Sequence, residues 1–342
     1  MGSFKDIIGH EREIGILKSA VVSGRMSHAY IFYGPGGIGK KLVAHTFANA
    51  LNCSSPEDGD LCGICTDCLA GFRANVLEVN PTVEVKKDVF EDDEENGLVR
   101  VHQVREVQSA LRYRVERGKK VVIVNSADKF MPQAGNAFLK TLEEPPPDSI
   151  IILITSRPSA LLPTILSRCA KLGFRALSNT AVASWLSQTK GLSENDAVLA
   201  GKLGDGSLAM SLRYCDEGLA EKRRTAAENL KNLALGNTLT ALALAESLCK
   251  RDDLEDMLEF FKMLCRDRLA GLLGMGALAV NSNITEFSNY DAGQKDSAYR
   301  ALLEAYALIE KTRFETTPPR FGNKLLALER LFLRLARNKA FA

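Results

Sequence analysis

The sequence predicts an α/β domain with a parallel sheet, followed by all-helical domains. A short apolar strand, Ala29–Tyr33, runs into a glycine-rich loop and then into a helical pattern. Two further apolar segments, 119–124 and 149–154, alternate with helical patterns, which is typical of parallel strands covered on both faces. Beyond Leu177 the sequence shows Ala- and Leu-rich helical periodicity and no convincing strand.

The loop after the first strand has the pattern of a phosphate-binding loop, G-x-x-x-x-G-K-[ST], except at its last position. In such a loop the backbone N–H groups and the helix N-terminus surround phosphate oxygens, and Lys40 would reach the terminal phosphates. The last position should carry a hydroxyl that binds Mg²⁺, whereas Lys41 is a cation and cannot coordinate one. The candidate nucleotide-binding residues of the loop are Gly34, Gly36, Gly37, Gly39, Lys40 and Lys41.

The other elements of the α/β part follow from periodicity and from proline. Apolar spacing predicts helices over 11–23, from the loop to about 51, 104–114 and 132–144. Residues 145–147 are three prolines, which end the last of these helices. Extended segments are expected between 74 and 103.

The strand over 119–124 ends without the acids that a phosphate-loop ATPase needs. In such an enzyme an Asp binds Mg²⁺ at this point and the next residue, Glu, polarises the attacking water. Here the two residues are Asn125 and Ser126, which supply neither a charge nor a base. Asp128 is the one acid near enough to substitute. The losses at Lys41 and at Asn125–Ser126 together argue against ATP hydrolysis.

Two further positions are candidates for contacts with a γ-phosphate. Thr155 ends the strand over 149–154, where it either senses a phosphate or simply caps the strand. Arg168 follows a short predicted helix in Pro163–Cys169. It is either a surface residue in an ion pair or an arginine finger whose target belongs to another chain.

Four cysteines, Cys53, Cys62, Cys65 and Cys68, lie within sixteen residues. The x2 spacings suit a tetrahedral Zn²⁺ site with four thiolates, which has no open position and is therefore structural. Iron–sulfur ligation is the alternative metal chemistry. The alternative without a metal is that these cysteines pack in the core, but the residues between them are polar and do not build a core. The single cysteines Cys215, Cys249 and Cys265 lie in apolar helices and are expected in the core.

Length and composition indicate a globular protein of two or three domains. The chain has 342 residues, of which 46% are hydrophobic and 25% are charged, and its formal net charge is +2. No apolar run reaches the roughly 18–20 residues of a membrane span, and the N-terminal residues lack the apolar core of a signal peptide. Eight cysteines without such a signal suit a reducing compartment. We therefore expect a cytoplasmic protein without membrane contact.

These motifs, in this order, resemble the bacterial replicative clamp loader, an AAA+ ATPase assembly within DNA polymerase III. The resemblance is carried by 29–40, the four cysteines, Asn136–Pro145, Ile165–Cys169, Gly206–Ser207 and Asn323–Arg330, and so spans nearly the whole chain. The phosphate loop is common by itself. The cysteine insertion and the Ser-Arg-Cys triplet within one such domain are specific.

Two types of clamp-loader subunit share these features. The gamma/tau motor subunits keep an intact Mg²⁺ site, whereas the delta-prime subunit has a degenerate one. This sequence departs from the motor type at Lys41, Asn125 and Ser126, and at Ala209, where the motor pattern has a sensor arginine. The departures favour the delta-prime type. Lys40 is retained, which leaves binding of ATP or ADP without turnover open.

The resemblance implies an organisation and a set of partners. It implies an AAA+ domain over 1–177 with a zinc module at 53–68, a helical lid over 178–235 and a helical collar for oligomerisation over 236–342. The chain would join gamma/tau and delta subunits in a five-membered ring that opens the sliding clamp and places it on primed DNA. Arg168 would act in trans in the ATP site of the adjacent motor subunit, with Ser167 and Cys169 holding its loop.

Three functions are therefore distinguished by the sequence. The first is a non-hydrolysing subunit that completes its neighbour's ATP site. The second is a gamma/tau-like ATPase in which Asp128 replaces the lost acid. The third, ranked lowest because the cysteine insertion has few basic residues, is a zinc-dependent DNA-binding module.

Overall fold

The computed structural model of the chain describes residues 2–71, 75–86, 89–94, 97–113, 115, 117–215, 217–235, 237–251, 253–276, 279–280, 292–316 and 323–337. The chain divides into two compact units, Met1–Leu212 and Arg213–Ala342. No helix within the described ranges is both long enough and apolar enough to cross a membrane.

A parallel sheet of five strands forms the centre of the first unit. The strands of this unit are β1 (Ala29–Tyr33), β2 (Val76–Val79), β3 (Thr82–Lys86), β4 (Val89–Asp92), β5 (Lys120–Val124), β6 (Ser149–Thr155) and β7 (Ala170–Gly173). The sheet order is β2-β5-β6-β1-β7, and all four pairings are parallel. The strands β3 and β4 form a separate antiparallel hairpin.

Helices cover both faces of this sheet. The helices of this unit are α1 (Glu11–Ser23), α2 (Lys40–Asn52), α3 (Thr66–Ala70), α4 (Val101–Leu111), α5 (Pro132–Glu143), α6 (Pro163–Leu166), α7 (Asn179–Lys190), α8 (Glu194–Leu203) and α9 (Leu208–Tyr214), and the cores on the two faces contain residues of α1 and α2 on one side and of α4, α5 and α6 on the other. Alternate residues of each strand enter different cores because successive side chains point to opposite faces. Phe32 of β1 packs with Phe47 of α2 on one face, whereas Ile31 packs with Phe138 of α5 on the other.

The described residues of the second unit form helices and the segments that connect them. Its helices are α10 (Glu217–Leu235), α11 (Thr238–Cys249), α12 (Leu254–Leu272), α13 (Ala292–Thr316) and α14 (Lys324–Ala336). The buried rings of Phe261 and Phe332 meet edge to face, with centroids 5.9 Å apart, and bring α12 against α14. The side chains of Asn237 and Asn323 cap α11 and α14 by accepting backbone N–H groups of the first turn.

The predicted fold class, α/β followed by all-α, is confirmed, and most predicted elements end within a few residues of the observed ones. The helix predicted from 104 begins earlier, at Val101, because the side chain of Gln103 accepts the N–H of Arg100 and caps it. The predicted division at 177 and 235 stays a prediction. By its contacts, α10 packs with α12 and α14 inside the second unit, and the first unit extends through α7 and α8.

Candidate functional site

The candidate nucleotide site lies at the edge of the sheet where β1, β5 and β6 end. Their carboxyl ends meet there because the strands are parallel, and such an edge is the usual place for a ligand in an open α/β sheet. The phosphate loop begins at Gly34, whose N–H donates to Thr155 O at 3.3 Å. Gly34 has a φ of 148°, and a Cβ there would lie 2.2 Å from Phe174 O. Only glycine fits this position.

Lys40 binds the loop from which it extends. Its Nζ donates to Gly34 O at 2.8 Å and also to Pro35 O. The side chain is buried, and desolvation lowers the Lys40 pKa to about 8, although the negative charge of Asp128 acts in the opposite direction. The ammonium that would contact terminal phosphates is therefore already held by two carbonyl groups.

Lys41 forms ion pairs across the site. Its Nζ lies 2.6 Å from Glu78 Oε1 on β2 and 3.1 Å from Glu94 Oε1. Burial disfavours the charged form, but the hydrogen bonds and charges of Glu78 and Glu94 outweigh it and raise the Lys41 pKa. His45 Nε2 lies 3.0 Å from the other oxygen of Glu78. A protein ammonium thus stands where the loop motif calls for the hydroxyl that binds Mg²⁺.

The end of β5 is neutral, as the sequence predicts. The buried Asn125 side chain donates from Nδ2 to Glu78 Oε1 at 2.6 Å and to Asn80 Oδ1 at 2.7 Å. Ser126 adopts a left-handed conformation, with φ at 46°, and opens the short turn that leads to Asp128. Glu78 therefore faces an amide and an ammonium rather than a metal ligand set.

Asp128, the acid that could substitute, is committed to other partners. Its side chain is 3% exposed, and its Oδ2 accepts from Arg157 Nε at 3.0 Å and from Arg157 Nη2 at 2.9 Å. Thr155 Oγ1 donates to its other oxygen at 2.8 Å and accepts the N–H of Arg157 at 3.0 Å. The Thr155 hydroxyl therefore organises the strand end and the acid next to it.

The start of α9 closes directly on the phosphate loop. The N–H of Ala209 donates to Gly37 O at 3.1 Å, and a Cβ added to Gly37 would lie 2.3 Å from Ser207 Oγ. Gly37 has a φ of 69°, so both its conformation and this close approach require glycine. The side chain that α9 brings to the loop is a methyl group, not the arginine of the motor pattern.

Arg168 lies on the surface at the end of α6. Its Nη1 donates to Thr164 O at 2.9 Å, and its Nη2 lies 2.8 Å from Glu143 Oε1 at the end of α5. Ser167 Oγ donates to Thr164 O at 3.0 Å, so it closes the helix end beside the arginine. Cys169 is buried in the core, where desolvation raises its pKa to about 11. The triplet thus contains a partly exposed arginine, Arg168, followed by the buried Cys169.

The four cysteines of 53–68 converge. Their sulfur atoms all lie within 4.8 Å of one another, and four of the separations are 3.5 to 3.9 Å. A tetrahedral zinc with Zn–S bonds of 2.3 Å requires S···S distances of about 3.8 Å. The N–H of Cys62 donates to Cys53 Sγ at 3.3 Å, and that of Cys68 to Cys65 Sγ at 3.4 Å. The hydrogen bond from the Cys68 N–H lowers the Cys65 pKa, whereas at Cys53 burial outweighs the bond from the Cys62 N–H and raises the pKa.

Sequence reasoning missed three residues of the site. Glu78 interrupts the apolar β2 sequence Val-Leu-Glu-Val, and this single charge in a strand was the available signal. Glu94 and Arg157 lie in connecting segments, where periodicity carries no information. Their roles depend on which strand ends become neighbours, and this is a property of the sheet order.

Comparisons with known proteins point to one family. A sequence profile described as "DNA polymerase III, delta subunit" matches residues 9–178. DNA polymerase III subunit delta' of Pseudomonas aeruginosa is 34% identical over 228 residues, which are 65% of this chain and 65% of that protein. Subunit tau/gamma of Haemophilus influenzae is 31% identical over 240 residues, which are 68% of this chain and 33% of that protein. The match thus spans less than two thirds of either relative.

Among solved structures, a gamma-subunit-related protein of Thermotoga maritima aligns with 96% of this chain and 99% of its own, at 18% identity and a TM-score of 0.47. The profile, the two relatives, the sheet order and the phosphate loop agree with one another. The sequence profile and the two relatives support a clamp-loader subunit of bacterial DNA polymerase III, of the delta-prime or gamma/tau type.

Proposed function

We propose that the chain is a delta-prime-type subunit that does not hydrolyse ATP itself. It assembles with gamma/tau and delta subunits in a five-membered ring of the DNA polymerase III holoenzyme. There it completes the ATP site of an adjacent motor subunit and helps to load the sliding clamp onto primed DNA. In this proposal the chain consists of an AAA+ domain (1–177), a lid (178–235) and a collar (236–342) that takes part in oligomerisation. The assembly functions in the cytoplasm.

The observation that carries this proposal is the position of the Lys41 ammonium between Glu78 and Glu94. A divalent cation at the end of the phosphate loop would face this positive charge at close range, and the carboxylate nearest to it is already paired. Asn125 provides no replacement ligand. Since Mg²⁺ neutralises the charge that develops in phosphoryl transfer, a site that rejects it cannot turn over ATP efficiently.

A gamma/tau-like ATPase is the alternative, and it requires Asp128 to act as the missing acid. Both oxygens of Asp128 accept hydrogen bonds from Thr155 and Arg157, which opposes this role. Purified chain without other subunits separates the two functions. We expect no ATP turnover above that of a Lys40→Ala variant; turnover that the Lys40 change abolishes would establish the alternative.

We assign the role in trans to Arg168. Its guanidinium is anchored on one side by Thr164 O, while the bond to Glu143 lies at the surface and can be exchanged for another anion. An arginine delivered to a neighbouring site stabilises the charge on a transferring phosphoryl group. The buried Cys169 fixes the backbone that presents it.

The decisive experiment replaces Arg168 in a reconstituted complex. Arg168→Ala should leave assembly intact and lower ATP turnover at the ATP site of the adjacent subunit by roughly 10³-fold. The total rate should fall less if other sites of the complex also hydrolyse ATP. Arg25→Ala, which removes an exposed arginine of the same unit, is the matched control and should keep the full rate. Unchanged turnover and clamp loading in Arg168→Ala would refute the assignment.

We further propose that Cys53, Cys62, Cys65 and Cys68 hold a structural Zn²⁺. The sulfur separations fit a zinc tetrahedron, and four thiolates leave no open position for catalysis. When bound, the ion cross-links the segment that follows α2. Protein purified without chelator should contain about one zinc per chain by mass spectrometry, and a preparation without metal would contradict the assignment.

A further inference from the structure

Asp60 is a buried carboxylate that connects the four-cysteine cluster to the N-terminal segment. It lies two residues before Cys62 and is 3% exposed. Its Oδ2 accepts from Ser3 Oγ at 2.6 Å, and its Oδ1 accepts from the N–H of Phe4 at 3.2 Å and from that of Leu61 at 2.8 Å. The Asp60 side chain thus binds Phe4 and Ser3, which lie 56 and 57 positions away from it in the sequence.

The N-terminal segment is itself anchored in the core. Phe4 is buried in the cluster that contains Phe32 and Phe47. Ser3 caps the short helical turn that follows it, because its Oγ accepts the N–H of Lys5 and its own N–H donates to Asp6. The segment therefore offers Asp60 a preformed set of donors rather than a flexible tail.

The same carboxylate fixes the loop that brings Cys62 to Cys53. The N–H and C=O of Asp60 bond to Glu57, so the loop folds back on itself. Gly59 packs against the backbone of α1, where a Cβ would lie 2.4 Å from Lys18 O. Cys62 leaves this rigid turn with its N–H directed at Cys53 Sγ, at 3.3 Å. The placement of one metal ligand thus depends on contacts made by the N-terminal segment.

We propose that Asp60 is a positioning residue for the cysteine site, and that metal binding and the ordering of residues 3–6 are coupled through it. The inference rests on the proposed zinc. Coupling between two events is reciprocal: if the ordered N-terminal segment strengthens metal binding, bound metal must stabilise that segment by the same factor. Partners outside the ligand set commonly change metal affinity by roughly 10- to 100-fold.

Two measurements on the full chain test both directions. In the first, the zinc dissociation constant is measured by competition with a chromophoric chelator. Asp60→Ala should raise it roughly 10-fold or more. Asp60→Asn keeps the Oδ1 acceptor, and Ser3→Ala removes only one of the three hydrogen bonds to the Asp60 carboxylate, so both should show smaller increases. Glu57→Ala removes an exposed carboxylate from the same loop and should leave the constant unchanged.

In the second, hydrogen exchange is followed at the amides of Phe4 and Lys5, with and without zinc. Removal of zinc should speed their exchange in the wild type, and in Asp60→Ala both amides should exchange fast even with zinc bound. The coupling alone is overturned if the wild type binds zinc and Asp60→Ala binds it with equal affinity. It is also overturned if the wild type binds zinc and the exchange of its two amides does not respond to the metal. Wild type that binds no zinc would overturn the metal assignment and the coupling together.

Discussion

At Lys41 an ammonium group takes the place at which a phosphate-binding loop carries a hydroxyl, and Glu78 on β2 supplies the carboxylate that pairs with it. The two side chains form an ion pair of 2.6 Å, which Asn125 extends by a hydrogen bond to the same carboxylate oxygen. The site is therefore reorganised as a network of protein groups, and this holds the loop in its fold without an external ion.

Lys40 gives this network a pH dependence that can be measured. Its pKa is lowered from 10.5 to about 8 by desolvation. Between these two values the folded chain binds fewer protons than the unfolded chain, so the free energy of unfolding rises with pH there. Below about pH 8 the penalty of the buried charge is fully present, and it disappears as the pH rises towards 10.5.

We therefore expect Lys40→Met to increase the free energy of unfolding, relative to wild type, most strongly below pH 8. Urea unfolding at a series of pH values from 7 to 10.5 measures the difference, and it should shrink steadily as the pH increases. Two stability curves that run parallel across this range would show that the burial of Lys40 has no energetic consequence.

For single residues, the sequence predicted which groups of an ATPase site are missing better than it predicted which contacts replace them. Lys41, Asn125 and Ser126 were identifiable because a motif specifies what should stand there. The partners of Lys41 were not, since Glu78 and Glu94 come close only through the order of strands in the sheet. The Arg157–Asp128 pair likewise joins two strand ends that are adjacent in space and 29 residues apart in sequence.

Among the elements, the turn from β1 into α2 is constrained by packing at its first glycine. Gly34 lies against the backbone of Phe174, whereas Gly36, two residues on, faces open space. The loop thus contains one glycine that packing requires and another that only a bound phosphate would require. This contrast separates the structural role of the loop from its ligand-binding role.

Gly34→Ala should therefore destabilise the chain by ~1–3 kcal/mol, because the new Cβ would collide with Phe174 O in a backbone conformation unfavourable to alanine. Gly36→Ala is the matched control and should change stability by less than about 0.5 kcal/mol. Chemical denaturation of both variants measures the difference. Equal stabilities would mean that the loop adapts freely.

The elements themselves were predictable from the sequence where burial is continuous. The segments of β5 and β6 are apolar on both faces, and the three prolines after α5 end that helix where expected. The hairpin of β3 and β4 was expected only as extended chain, because its residues are largely exposed and carry no clean alternation. The pairing partner of each strand could not be read from local sequence at all.

On the scale of the whole molecule, the two units differ in how they can be observed. The only tryptophan of the chain, Trp185, lies in α7 and thus in the first unit. The cysteine cluster lies in the same unit. Tryptophan fluorescence therefore reports on the unit that would hold the metal, whereas the second unit contains no tryptophan and is followed through the far-UV circular dichroism of its helices.

Chelation of the proposed zinc should accordingly lower the urea midpoint seen by Trp185 fluorescence. A ligand present at 1,000 times its dissociation constant stabilises the folded state by about 4 kcal/mol, and removal forfeits that amount. Readdition of zinc should restore the midpoint. A Cys65→Ser, Cys68→Ser double variant should not respond to the chelator, and an unresponsive wild type would show that the metal does not support the fold.

The ion pair of Arg168 with Glu143 has a consequence for selectivity. A guanidinium that already has a resident anion binds another only by exchange, so its net affinity is the difference between two attractions. A weakly charged or badly oriented competitor gains little from displacing a carboxylate. A phosphoryl group held in the correct geometry by another chain gains much more. Under the proposed role of Arg168, the pairing with Glu143 would limit the binding of other polyanions to this partly exposed cation.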